Sequence, residues 1–365
     1  MSWREHLRDG LTQIQALRPF DYAAAQPDLA RLDCNELPFG PTPDELQCYA
    51  RALSGLALNR YPDMTGRPLR EALARHWQVE PDEILLGNGS VEILGLLMTA
   101  FGADARGLPA KVLYPEPSFP YYEVVARAHG VVPVAVPLAR DFRLDEQRFV
   151  RAIDESRPAL ALIASPNNPS GNSFDPIVLE RLARHLNAAF VIDEAYADFA
   201  QRTMIPRIRE IPGLFVLRSL SKVGLAGLRL GAIIAARDVI EELDKIRLPW
   251  NINSVTTALG CSALDQPKLL EKRVRTVIEL RQALAAALRT IPGVLVYPSE
   301  ANFLLVRLPV DSGAVFRRLL REGVLVKDVS RAGSLERCLR ISVGTSLENE
   351  RCVHALKSAL EPQGP

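Results

Sequence analysis

The alternation of short, wholly apolar segments with amphipathic segments constrains the fold of this chain more than any other feature. Residues 160–163 (LALI) and 190–192 (FVI) are apolar at every position, whereas residues 176–187 between them have helical periodicity. A strand without a polar side is buried on both faces, as in a parallel sheet that helices cover. The series runs from about residue 112 to residue 235 and predicts an α/β fold with a large, mostly parallel sheet.

The pattern changes after Asn251. Residues 255–290 form a long helical region without strand segments, and short strand segments and one further helix follow it. This order predicts a smaller α+β domain at the C-terminal end. We therefore predict three parts along the chain: an N-terminal arm with part of the small domain (1–45), a large domain (46–250) and a small C-terminal domain (251–365).

The composition of the chain argues against some classes of binding partner. The 365 residues include 44 Lys and Arg against 43 Asp and Glu, so the formal charge is only +1. Nucleic-acid and anionic-membrane surfaces rely on excess positive charge, so neither is expected as a partner. The charged start MSWREHLRDG lacks the apolar core of a secretory signal, and we expect a cytoplasmic protein. Five scattered cysteines without C-x-x-C spacing predict reduced thiols and no metal site.

Four polar segments follow predicted strands, at the edge where parallel sheets carry their chemistry. They are GNGS (87–90), SPNNPSG (165–171), DEAY (193–196) and RSLSKVGLAGLRLG (218–231). Glycines before a helix expose backbone N–H groups to an anion such as phosphate, although a plain strand–helix turn would look the same. The SPNNPSG segment is either a plain turn or a rigid loop that presents an amide to a ring substituent or substrate anion.

Two of these segments contain a candidate reactive group, an acidic residue in one and a lysine in the other. Asp193 ends a buried strand, where a carboxylate is costly unless it meets a cation; the alternative is an exposed strand end. Lys222 stands among hydroxyl, small and apolar residues, and Arg229 follows it. A lysine that is desolvated beside another cation becomes a nucleophile able to form a Schiff base, whereas a solvated lysine would have no such role.

Taken in order, these segments resemble the fold-type-I pyridoxal-phosphate (PLP) aminotransferases of the class II subfamily, and among them the histidinol-phosphate aminotransferases. The resemblance extends from about residue 17 to residue 356. It also includes LDCNELPFGP (32–41), NRYPD (59–63), YPEPSFPYYE (114–123) and CLRISVGTSLENE (338–350). It implies PLP as the cofactor and a homodimer whose sites are shared across the interface.

The resemblance also implies a role for each matching residue. Lys222 would hold PLP and move the substrate proton, Asp193 would pair with the ring nitrogen, and Tyr196 would bond the ring oxygen O3′ together with Asn168. The other cofactor contacts would come from Ser90, Val91, Phe119, Ser219, Ser221, Arg229 and, from the neighbouring subunit, Tyr61. The substrate contacts would come from Arg340, Asn168, Lys327 and Asn35.

The implied activity is transamination of L-histidinol phosphate with 2-oxoglutarate, giving imidazole-acetol phosphate and L-glutamate in histidine biosynthesis. An aromatic amino acid transaminase on the same fold remains an alternative, because no sequence pattern identifies the residues that would recognise the imidazole ring of the substrate. A threonine-phosphate decarboxylase is less favoured, since the segment around the lysine usually differs there. A non-catalytic sensor module would need a DNA-binding domain, and only about 30 residues precede the first motif.

Overall fold

The structure is a computed structural model that describes residues 6, 9–15, 28–104, 106–331 and 333–361. The predicted N-terminal arm (1–45) therefore lies partly outside the described residues. The strands of the described part are β1 (Ala30–Leu32), β2 (Ile84–Asn88), β3 (Lys111–Glu116), β4 (Val132–Pro137), β5 (Leu160–Ala164), β6 (Ala189–Asp193), β7 (Leu214–Ser219), β8 (Leu230–Ile234), β9 (Leu295–Val296), β10 (Phe303–Arg307), β11 (Val324–Asp328) and β12 (Cys338–Ser342).

Helices separate most of these strands. They are α1 (Asp9–Thr12), α2 (Pro43–Ser54), α3 (Arg67–Trp77), α4 (Ser90–Phe101), α5 (Tyr121–His129), α6 (Glu146–Ser156), α7 (Pro176–Leu186), α8 (Ala197–Ala200), α9 (Arg237–Asp244), α10 (Ser254–Leu264), α11 (Pro267–Arg289), α12 (Ser312–Arg321) and α13 (Ser346–Leu360). Short 3₁₀ helices cover Pro81–Glu83, Ile205–Arg207, Leu220–Val223 and Ala226–Leu228. Among the described residues, no helix is both long and apolar enough to traverse a bilayer.

The larger sheet confirms the predicted α/β fold. Its seven strands have the order β2-β8-β7-β6-β5-β3-β4, and all are parallel except β8, which is antiparallel to β2 and β7. Successive residues of β5 pack into different cores: Leu160 and Leu162 join the core on one face, whereas Ala161 and Ile163 join the core on the other. Burial on both faces explains why the strand is apolar at every position.

The smaller sheet joins both ends of the described chain. Its order is β1-β11-β12-β10-β9; β1 is parallel to β11, and the other pairs are antiparallel. The predicted helical region 255–290 is two helices, because Pro267 begins α11 and lacks the N–H that would continue α10. The domain boundaries near residues 45 and 250 stay a prediction.

The C-terminal helix α13 was not predicted, although the sequence contains its start signal. Thr345 accepts a hydrogen bond from the backbone of Glu348, and the Glu348 side chain accepts one from the backbone of Thr345. This reciprocal capping box satisfies two N–H groups at the helix start. Cys352 and Leu356 of α13 are buried in the core of the smaller sheet. The helix thus closes that sheet on one face.

Candidate active site

A cavity of about 370 Å³ opens where β5, β6 and β7 end and α4 begins. It brings together all the predicted catalytic residues and every predicted cofactor residue except Tyr61. These residues are Ser90, Val91, Phe119, Asn168, Asp193, Tyr196, Ser219, Ser221, Lys222 and Arg229. They come from segments that are far apart in sequence, and the parallel strand order places their ends side by side.

Asp193 is the last residue of β6 and is only 6% exposed. Its Oδ2 accepts a hydrogen bond from the hydroxyl of Tyr122 at 2.8 Å, and its Oδ1 accepts one from the backbone N–H of Ala195 at 3.1 Å. Burial raises the pKa of the Asp193 carboxyl, and these two donors and the charge of Lys222 offset part of that rise. These contacts therefore compensate the buried negative charge only in part, and the carboxylate is suited to bind a cationic ring nitrogen.

Lys222 lies on the 3₁₀ helix Leu220–Val223, directly after β7. The hydroxyl of Ser219 caps this helix by accepting a hydrogen bond from the backbone N–H of Ser221 at 3.2 Å. The Lys222 amine donates to the backbone oxygen of Cys34 at 3.2 Å and lies 5.9 Å from the ring centroid of Tyr196. A short, capped helix thus directs a single amine into the cavity.

The start of α4 and Arg229 form a cradle for an anion. Gly89 has a φ of 81° and precedes Ser90, the first residue of α4. A side chain at Gly89 would lie 2.6 Å from the Arg229 guanidinium, so glycine lets the guanidinium approach the helix start. Neither a hydrogen bond nor an ion pair links Arg229 to another described side chain, and its charge is available to a ligand. Helix N-termini and free guanidinium groups both favour phosphate.

Tyr196 is held by a residue predicted to touch substrate. Asn35 donates from its side-chain amide to the Tyr196 hydroxyl at 3.0 Å, and its Oδ1 accepts from the hydroxyl of Ser342 at 2.9 Å. Asn35 is buried, has a φ of 54° and does not line the cavity. Its side chain binds Tyr196 and Ser342, so the structure places Asn35 behind Tyr196, and its predicted substrate contact stays a prediction.

Arg340 and Lys327 are directly opposite each other on the adjacent strands β12 and β11. Residues paired in this way have side chains on the same face of a sheet. Arg340 donates to Oδ1 of Asn168 at 2.7 Å and to the backbone oxygen of Asp33, and its guanidinium lies 5.4 Å from the ring centroid of Phe303. Two cationic side chains therefore share one face of the smaller sheet. Neither lines the cavity, but Arg340 is hydrogen-bonded to Asn168 of the cavity wall.

Tyr61 is the predicted cofactor residue that lies outside the cavity. Its side chain is 78% exposed and stacks on Trp250, with ring centroids 4.5 Å apart. It does not line the cavity of its own chain. Its predicted contact with the cofactor of a neighbouring subunit stays a prediction.

Beneath the cavity lies a buried ion-pair cluster that the sequence analysis missed. Arg218, one residue before Ser219, is 5% exposed and donates to Glu194 at 3.1 Å and to Asp198 at 2.7 Å. Glu194 directly follows Asp193, so the cluster supports the strand ends that carry the site. The signal was present in the sequence as an Arg and a Glu at the ends of neighbouring wholly apolar strands.

Replacing Arg218 with alanine should destabilise the protein strongly, because it leaves the buried Glu194 carboxylate without its cation. We expect the free energy of unfolding to fall by about 3–5 kcal/mol, measured by urea denaturation. Arg207→Ala, which removes an exposed ion pair with Glu210, is the control and should leave stability nearly unchanged. Equal stabilities of the two variants would contradict this account.

The groups in the cavity match those of PLP. The buried carboxylate of Asp193 is complementary to a protonated ring nitrogen, the amine of Lys222 to an aldehyde, and the guanidinium of Arg229 to a phosphate. The residues present therefore fit this cofactor. Among the described residues there is no cluster of three or more His, Cys, Asp or Glu side chains suited to a metal ion.

Comparison with known proteins agrees with the geometry. The chain is 39% identical to histidinol-phosphate aminotransferase 2 of Nitrosococcus oceani over 95% of this chain and 96% of the relative. It is 42% identical to histidinol-phosphate aminotransferase 1 of Burkholderia lata over 90% and 92% of the two chains. The fold is similar to that of histidinol-phosphate aminotransferase from Sinorhizobium meliloti in complex with pyridoxal-5′-phosphate, with a TM-score of 0.82, 27% identity and 90% of each chain covered. Residues 27–357 match the model of the class I and II aminotransferases, and the chain belongs to this family.

Proposed function

We propose that this chain transfers an amino group between L-histidinol phosphate and 2-oxoglutarate with PLP as cofactor, giving imidazole-acetol phosphate and L-glutamate in histidine biosynthesis. The observation that carries the proposal is the pair of cations Arg340 and Lys327 on one sheet face, with Arg340 bound to the cavity residue Asn168. Each substrate has an anionic group for such a pair: the phosphate of the amine and a carboxylate of the keto acid. The relatives named histidinol-phosphate aminotransferase support the same substrate.

Several groups that line the cavity would hold the cofactor. Bound PLP supplies an electron sink for the electrons released when the substrate Cα loses its proton. The Asp193 carboxylate would keep a proton on the ring nitrogen, which that sink requires. Arg229 and the N–H groups at the start of α4 would bind the phosphate, and Phe119 would cover the ring face.

The proton is moved by Lys222. Its amine lies at the cavity wall, 3.2 Å from the backbone oxygen of Cys34, and would accept the proton from the substrate Cα and return it. Tyr196, held by Asn35, would donate a hydrogen bond to the ring oxygen.

Arg340 would bind the anionic group of both substrates, and Lys327 would add a second charge for phosphate. An Arg binds a carboxylate or phosphate with two parallel hydrogen bonds, whereas a Lys acts as a point charge. Because one site serves both half-reactions in turn, a change at Arg340 should affect both substrates.

Replacing Arg340 with alanine should raise KM for histidinol phosphate and for 2-oxoglutarate, each by about 10-fold or more, the scale of a lost charged hydrogen bond. Steady-state kinetics with each substrate varied in turn measures this effect. Arg317→Ala, on the exposed side of α12, is the control and should leave both values unchanged. An increase for only one substrate would contradict a shared anion site.

The substrate itself is tested by half-reactions. Loss of the visible absorbance of the PLP-loaded protein should be fastest with L-histidinol phosphate among a panel that includes phenylalanine, tyrosine and threonine phosphate. A higher kcat/KM for phenylalanine or tyrosine would instead identify an aromatic transaminase. Release of CO₂ from threonine phosphate would identify a decarboxylase.

We also propose a cytoplasmic homodimer. The five cysteines all lie among the described residues and form no disulfide there, which suits a reducing compartment. The exposed side chains of Leu58, Tyr61 and Leu248 are apolar area that a second copy of the chain would cover. Light scattering should give twice the 40.3 kDa mass of one chain. A monomeric mass with full activity would refute the shared site.

A further inference from the structure

Tyr122 is a completely buried tyrosine to which neither the family motifs nor the mechanism above gives a role. It lies on α5, is 0% exposed, and its hydroxyl donates to Oδ2 of Asp193 at 2.8 Å. The two residues are 71 positions apart in sequence. A hydroxyl buried this deeply needs a partner, and here the partner is the carboxylate proposed to bind the cofactor nitrogen.

Both oxygens of Asp193 are bound by donors from different elements. Tyr122 on α5 binds Oδ2, and the backbone N–H of Ala195 in the turn after β6 binds Oδ1. These two bonds fix the rotation of the carboxylate while leaving further lone pairs on each oxygen. Hydrogen bonds to the charged form of an acid also favour ionisation, which opposes the effect of burial.

The same tyrosine contacts the residue proposed to cover the cofactor ring. The rings of Tyr122 and Phe119 are edge to face, with centroids 5.6 Å apart and planes at 87°. Tyr114 packs on Tyr122 from a third direction, with centroids 6.3 Å apart. One side chain therefore links the carboxylate to the aromatic wall of the cavity, and substitution by phenylalanine keeps the ring and removes only the hydroxyl.

We infer that Tyr122 is a positioning residue that keeps the Asp193 carboxylate ionised and directed at the cofactor ring nitrogen. The inference rests on the proposed role of Asp193. The other charged or titratable group that acts on this carboxylate is Lys222, and Tyr196 and Arg229 line the same cavity. Burial raises the pKa of the Tyr122 hydroxyl well above its usual range, so the hydroxyl remains a donor across the working pH range.

The test is titration of cofactor-free protein with PLP between about pH 6 and pH 9, for the wild type and Tyr122→Phe. Removal of the donor raises the pKa of Asp193, so PLP binding should weaken at low pH and recover at high pH. We expect an affinity loss of about tenfold or more near pH 6, the scale of a hydrogen bond to a charged group. The acid limb of the kcat profile should move to higher pH in the same variant.

Tyr114→Phe is the matched control, because it removes one hydroxyl from the same buried cluster without touching Asp193. It should match the wild type in affinity and in pH profile. The inference would be overturned if Tyr122→Phe left PLP affinity and the pH profile unchanged, or if both variants shifted them equally.

A double-mutant cycle gives a second measurement. In an Asp193→Asn background, Tyr122→Phe should change PLP affinity less than about twofold, because its acceptor has lost its charge. Fully additive effects would overturn the inference. The titration measures cofactor binding alone, so failure of the protein to use histidinol phosphate would refute the proposed substrate and leave the role of Tyr122 standing.

Discussion

Replacing Lys222 with alanine is expected to reduce turnover by at least about 10³-fold, the range for loss of a positioned acid–base group. The loss should be this large because one amine would both hold the cofactor and move the proton under the proposed function, and Lys222 is the only lysine among the described residues that line the cavity. The visible absorbance of the covalently held cofactor should disappear. PLP should still bind weakly through Arg229 and the start of α4, and dialysis should remove it.

The control for this variant is Lys245→Ala. Lys245 is exposed and pairs only with Glu242 on the surface, so its loss should change neither absorbance nor turnover. A Lys222→Ala protein with wild-type turnover would contradict the assignment of the site as a whole.

Asp193→Asn is expected to have the second largest effect on activity. The substitution keeps the size of the side chain and removes its charge, so the ring nitrogen of the cofactor loses its partner. We expect kcat to fall by at least about 10²-fold, the scale of removing one electrostatic partner from a preorganised site. Weak PLP binding should remain. Asp141→Asn, at an exposed pair with Arg143, is the control.

Although Asp193→Asn should lower activity, it should raise the stability of the cofactor-free protein. Burial raises the pKa of Asp193 in the folded, cofactor-free protein, so ionisation of this group costs folding free energy as the pH rises above the usual carboxyl range. Cofactor-free Asp193→Asn should therefore be more stable than the wild type at pH 7. The difference should shrink as the pH falls toward about 4 and vanish below it, where the carboxyl becomes protonated in the unfolded state as well as in the folded state. A less stable variant at pH 7 would contradict this sign.

The large sheet was predictable because its strands are apolar at every position and helices separate them. The position of the site was predictable from the same pattern. Asp193, Asn168 and Lys222 each come at the end of a strand or shortly after it, so they lie at one edge of the sheet. The smaller sheet was harder to predict. Its strand β1 has three residues, and only its pairing with β11, almost 300 positions later, makes it a strand.

The contacts that tune the site were not predictable from the sequence. Tyr122 appears there only as one of two adjacent tyrosines, and nothing in the local pattern shows which of them reaches Asp193. Asn35 was expected at the substrate, but its side chain binds Tyr196 and Ser342, which are distant in the chain. The Tyr122 contact depends on how α5 packs on the large sheet, and the Asn35 contacts depend on how the two sheets meet. A local sequence pattern carries no information about either.

The contact between the two sheets has a mechanical consequence. Among the described residues, three of the hydrogen bonds that cross it lie at the site: Lys222 to Cys34, Asn35 to Tyr196, and Arg340 to Asn168. Cys34 and Asn35 follow β1, and Arg340 lies on β12, so the smaller sheet carries one partner of every bond. Any sliding of that sheet would displace Arg340, the proposed anchor of the substrate anion, together with the backbone that neighbours the Lys222 amine. Under the proposed function, a stiff joint would therefore keep a bound substrate aligned for proton transfer.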